Sequence, residues 1–104
     1  MINATNNHGD TALILAAYNG HTTTAEKLIQ AKANVNHADN YGETALHWAA
    51  CNGHDAVADL LLKANANPTA VDNNGHTTAQ IAEQCGHPEL AQRLRQAAGS
   101  AAEN

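Results

Sequence analysis

The sequence predicts an all-α solenoid of three stacked helix-turn-helix repeats joined by β-turn and loop fingers. Three observations predict it. The first is a fixed period: Gly9, Gly42 and Gly75 lie 33 residues apart, as do Thr11, Thr44 and Thr77, Ala16, Ala49 and Ala82, and Leu28, Leu61 and Leu94. The pairs Gly20-His21, Gly53-His54 and Gly86-His87 keep the same step. The second is composition: 43% of the 104 residues are hydrophobic, yet only 3% are aromatic and none is Phe. A core of Ala, Leu, Ile and Val suits closely packed helices better than a sandwich or barrel. The third is physical: a unit of this length cannot bury its apolar face alone, and stacked copies bury it jointly.

The second repeat shows the elements most clearly. Asp39-Asn40-Tyr41-Gly42 reads as a turn, with Gly supplying a conformation closed to other residues. Thr44 follows as an N-cap, its hydroxyl accepting from exposed backbone N–H groups. Ala45 to Ala50 carries apolar residues on a helical stripe, and Trp48 occupies the position of Leu15 and Ile81 on that stripe, a core position. Gly53 stands where a left-handed helix end is wanted. A second helix is expected from about Asp55 to Lys63, with its acid at the N-terminal end and its Lys at the C-terminal end, as the helix dipole favours. A long extended loop then leads to the next copy.

The stretch from Gly42 to His54 resembles the ankyrin signature, Gly-x-Thr-Pro-Leu-His-x-Ala-Ala-x-x-Gly-His, and Leu60-Leu61-Leu62 and Ala66-Asn67 continue it. The resemblance runs from about Ile2 to Ala97. Two departures matter. The family's Pro after Thr is replaced by Ala12, Ala45 and Thr78, and its Gly after the second helix by Lys32 and Asn65. Asn tolerates a left-handed conformation and Lys does so poorly.

The repeat domain is expected over 1–98, with repeats at about 6–38, 39–71 and 72–98 and a fraying tail at 99–104. The ends of the stack need polar outer faces. Arg93 and Arg95 replace Leu60 and Leu62 in the third repeat, which reads as a C-terminal cap. Thr22, Thr23, Thr24 and Lys27 suggest a weaker N-terminal one.

A formal net charge of −5 argues against nucleic acid as a partner, because phosphate needs basic surface. No apolar run approaches a membrane span of about 18 residues, and the first residues lack the pattern of a signal peptide. Two cysteines make no disulfide framework, so a reducing, cytoplasmic setting is expected, although a secreted bacterial effector fits too. Cys51 and Cys85, at neighbouring positions of adjacent repeats, are expected about 10 Å apart and beyond bonding reach. No phosphate loop or nucleophile–base pair is evident, so no enzyme activity, catalytic residue or cofactor is expected. His21, His54 and His87 follow the period and read as structural. The other histidines stand singly, so no metal site is expected.

Function is therefore expected to be partner binding. Ankyrin-like proteins bind on the concave side, through the turn tips and the exposed side of the first helices. Position by position, the resemblance implies Asn7, His8, Asp10, Tyr18 and Asn19 in the first repeat. It implies Asn40, Tyr41, Glu43, Cys51 and Asn52 in the second, and Asn73, Asn74, His76 and Gln84 in the third. Most of these positions vary while their neighbours are held, as residues without packing duty do. Asp39 and Asp72 read instead as turn acids bonding their own backbone. Segments 5–12, 38–45 and 71–78 hold acids and no Lys or Arg, which favours a protein partner with a basic or neutral surface. A monomer is expected. The alternative is a structural segment of a longer array, contacting only its own chain.

Overall fold

The computed structural model describes the chain from Met1 to Glu103, with side chains described through Gly99. Six helices follow one another: α1 (Ala12–Asn19), α2 (Thr22–Gln30), α3 (Ala45–Asn52), α4 (Asp55–Lys63), α5 (Thr78–Gln84) and α6 (Pro88–Glu103). They form three antiparallel hairpins. The first helices stack in the order α1, α3, α5, and α2 stacks on α4 behind them. The backbone of α6 continues through the segment set apart at 99–103, and Asn104 lies outside the described residues.

Each first helix starts as its sequence implies. Thr11, Thr44 and Thr77 are extended, and their hydroxyls accept from the backbone N–H three residues on. At Thr44 and Thr77 the third residue, His47 or Gln80, returns a side-chain bond to the cap's own N–H, closing a capping box. Where the second helices end, Lys32 (φ 72°) and Asn65 (φ 69°) are left-handed. Around Lys32, the N–H of Ala33 reaches the carbonyl of Leu28 and the N–H of Lys32 reaches that of Ile29, both at 3.0 Å. This Schellman arrangement forces the conformation even on a residue with a Cβ.

The core is a continuous seam of Leu13, Ile14, Leu46, Val57, Leu61, Leu90 and Leu94, interleaved with buried alanines of every helix. Small side chains let the first helices approach, as the Ala-rich composition requires. The fingers are hairpin-like, with antiparallel bridges between Ala38 and Thr44 and between Val71 and Thr77. Adjacent fingers are tied directly. The Asn40 N–H donates to the His8 carbonyl (2.9 Å), and the Asn40 amide donates to the Asn7 carbonyl (3.0 Å). Asn73 repeats both bonds toward Tyr41 and Asn40. Gly42 has two reasons to be glycine: its φ is 76°, and a Cβ there would lie 2.7 Å from the Asn73 backbone nitrogen.

The C-terminal cap differs from expectation at Arg93. Its guanidinium turns back onto α4, pairing with Asp59 and lying 4.0 Å from Asp55, instead of facing away from the stack. Acids on α4 attract it there, while Arg95 pairs with Glu83 of its own repeat.

Candidate functional site

The fingers and the first helices α1, α3 and α5 leave most of the expected contact residues exposed. Asn7, His8, Tyr18, Asn19, Asn40, Tyr41, Asn52, Asn73, Asn74 and Gln84 are exposed. Several of them also hold the stack together. Asn40 and Asn73 link fingers, and the Asn52 amide donates to the Tyr18 carbonyl at 2.8 Å. His54 and His87, read as structural, bond the carbonyls of Tyr18 and Cys51 in the preceding repeat, both at 3.1 Å.

Between the first and second repeats lies a pocket of about 270 Å³, lined by His8, Asp10, Ile14, Leu15, Tyr18, Tyr41 and Trp48. Tyr18 meets Trp48 edge to face with ring centroids 5.2 Å apart, and His8 stacks on Tyr41 at 6.4 Å. Leu15 and Trp48 are the residues that the sequence reading missed. It placed their stripe in the core, but Leu15 is 43% exposed and Trp48 is half-buried at the core's edge. A 3.6-residue period identifies an apolar stripe but not which edge of it is covered. The signal available was size: Trp stands where its neighbours in the stack are Leu and Ile, and the indole nitrogen needs a polar partner. It finds Asp39, donating to Oδ2 at 3.0 Å.

Two acid pairs sit at equivalent places, one at each junction. Asp39 and Asp72 are buried, and the Oδ1 of each accepts two N–H bonds from its own turn, as expected of turn acids. Asp10 faces Asp39, and 33 residues on Glu43 faces Asp72. Asp10 Oδ1, Glu43 Oε1 and Asp72 Oδ2 are buried without a hydrogen-bond donor. Two ionised carboxylates can only accept, so a proton on Glu43 shared with Asp72 is the arrangement that satisfies the second pair. The titration follows. Burial, then the charge and hydrogen bond of Asp72, push Glu43 up to about 7. Burial, then Asp39, likewise raises Asp10. Burial opposes ionisation of Asp72 too, but donors from His76 and Asn74 and the Glu43 carboxyl outweigh it and hold the group low. Asp39 is held low in the same way by Trp48, Asp10 and its own turn. Glu43 therefore points into the junction more than toward solvent.

His47 joins the second pair, a cluster not anticipated from histidines that stand singly in the sequence. Ligating atoms of Glu43, His47 and Asp72 lie within 4.8 Å of one another. The donor chemistry does not suit a metal. The Thr44 N–H can only donate, so the His47 Nδ1 it meets at 3.1 Å is an acceptor. Nε2 then carries the proton and donates to the His76 carbonyl at 3.1 Å. Both ring nitrogens are committed, and burial holds the ring below its ordinary value.

The expected separation of the two cysteines is corrected: Cys51 Sγ and Cys85 Sγ are 3.1 Å apart. They are 34 residues apart, one more than the period. The extra residue turns Cys85 by about 100° relative to the position equivalent to Cys51, so the side chains converge across the gap between helices. Burial, then the neighbouring thiol, pushes the Cys51 thiol up to about 11.

A family model for ankyrin repeats in three copies matches residues 1–72. The chain belongs to the ankyrin repeat family. No curated protein matches it. Ankyrin repeats are generally protein–protein interaction modules and are typically not enzymes. Beyond residue 72, α5 and α6 repeat the Thr cap, the left-handed Gly and the stacking of the preceding ankyrin repeats. Among the described residues no helix is long and apolar enough to cross a membrane.

Proposed function

We propose that this ankyrin domain binds a partner protein on its concave side and anchors a basic side chain of that partner in the pocket between the first two repeats. The observation that carries the reading is the pocket's mixed lining. Tyr18, Tyr41 and Trp48 line the pocket together with Ile14 and Leu15, and Asp10 brings a carboxylate to the same lining. Aromatic faces attract a cation, and the alkyl stem of Lys or Arg suits the apolar side chains. The fingers carry no Lys or Arg that would repel a basic side chain on its way to the pocket. Asn7, Asn19, Asn40, Asn52, Asn73, Asn74, His76 and Gln84 would form the polar rim, with Glu43 and Cys51 set deeper between repeats.

Selection from a displayed random peptide library tests this, with Trp48 fluorescence, from the only Trp, as the binding signal. Selected peptides should share a Lys or Arg, and Tyr41→Ala or Asp10→Asn should weaken them by about tenfold or more, the scale of a lost central contact. Enrichment of neutral or acidic peptides, or equal binding by folded variants, would refute the basic anchor. Failure to select any peptide would favour a scaffold segment of a longer array.

A further inference from the structure

We propose that Cys51 and Cys85 form an oxidisable dithiol that closes to an intramolecular disulfide across the junction of the second and third repeats. Their sulfurs stand 3.1 Å apart, and a disulfide needs about 2.05 Å. Closing that gap takes about 1 Å of side-chain movement, less than a rotamer change supplies. The setting permits it. Cys51 lies in the last turn of α3 and Cys85 is the residue that ends α5, so neither helix interior has to break. Cys85 is exposed and Cys51 partly so, which leaves a path for a small oxidant.

The two thiols are unequal, and this sets the order of events. Cys51 is held in its protonated form by burial and by its neighbour, with Glu43 adding repulsion. Exposed Cys85 is therefore the entry point. With a low-molecular-weight disulfide such as oxidised glutathione as the oxidant, the Cys85 thiolate attacks one of its sulfurs. The reagent's S–S bond breaks, a mixed disulfide forms on Cys85, and one reduced thiol departs. Cys51 then releases its proton to solvent and attacks Cys85 Sγ, expelling the second reduced thiol. Two protein thiols lose two electrons and two protons, and one small disulfide becomes two thiols. The bond would fasten the end of α3 to the end of α5 on the rim of the concave side. It would close a loop of about 35 residues, enough to raise the melting temperature by roughly 10–20 °C.

The test uses the whole chain, reduced and then incubated with oxidised glutathione at pH 8, followed by intact mass, peptide mapping and free-thiol titration. The expected product is a monomer lighter by two hydrogens, with no free thiol, no retained glutathione and a Cys51–Cys85 cross-linked peptide. Cys51→Ser should stop at a glutathione adduct on Cys85. Cys85→Ser should react more slowly than Cys51→Ser, because its remaining thiol is partly buried and burial disfavours the thiolate. Wild type that keeps both thiols, retains glutathione or cross-links between chains would overturn the proposal. Should either variant fail to fold, the wild-type mass and peptide map decide alone.

Discussion

Replacing Glu43 by Gln probes the proton shared between the second and third repeats. Glu43 titrates near 7 in the folded chain against an ordinary value of 4.5, chiefly because of burial and then Asp72. A carboxyl raised on folding takes up its proton more readily in the native state than in the unfolded one. Its unfavourable contribution is absent below about pH 4.5 and grows until the pH passes about 7, so stability falls over that window. The full difference corresponds to at most about 3.4 kcal/mol, at about 1.4 kcal/mol per pH unit. Glu43 keeps some contact with solvent, and screening reduces the expected figure to about 1–2 kcal/mol. Gln cannot ionise, and its amide can donate to Asp72 at every pH. Glu43→Gln should therefore differ least from wild type near pH 5 and exceed it by about 1–2 kcal/mol at pH 8. Urea melts at intervals from pH 5 to 8 read this directly. His47, held neutral by burial, changes stability in the opposite sense below its ordinary value of 6.5, so the difference between the two proteins is the decisive quantity. Parallel curves across the whole range would refute the shared proton.

Other expectations follow from the same geometry. Gly42→Ala and Gly75→Ala impose nearly equal backbone strain (φ 76° and 79°), but only at Gly42 would a Cβ strike the next finger. Denaturant melts should show about 1 kcal/mol lost at Gly75 and at least about 1–3 kcal/mol more at Gly42; equal losses would mean that the fingers yield freely. Lys32→Gly relieves a left-handed Lys on the surface and should stabilise by about 0.5–1 kcal/mol in the same melts. Leu94→Ala empties a fully buried site and should cost about 2–5 kcal/mol, whereas Arg93→Gln removes only a half-exposed ion pair and should cost about 1 kcal/mol or less. Comparable losses at 93 and 94 would show that the cap is held by charge rather than by packing.

The sequence by itself determined the repeat unit and its punctuation. Thr caps, left-handed glycines and the apolar stripe depend on backbone chemistry within a few residues, and a 33-residue period repeats that chemistry three times. Asp39 and Asp72 were legible as turn acids for the same reason, since their donors lie two and four residues away. The exposure of His8, Tyr18, Tyr41 and Asn74 was legible, because these positions vary inside a fixed repeat, whereas Asn40 and Asn73 recur and tie the fingers together. What only the tertiary structure decided arises between repeats. The pocket edge formed by Leu15 and Trp48, the pairing of Glu43 with Asp72, the return of Arg93 to Asp59 and the meeting of Cys51 with Cys85 all join residues from different elements. A period fixes which residues are equivalent. It does not fix the rotation and offset with which one hairpin settles on the next, and a single residue of offset turns a side chain by about 100° around a helix. That rotation is set by packing of the Ala-rich seam, so the contacts that carry this protein's chemistry exist only once the hairpins have stacked.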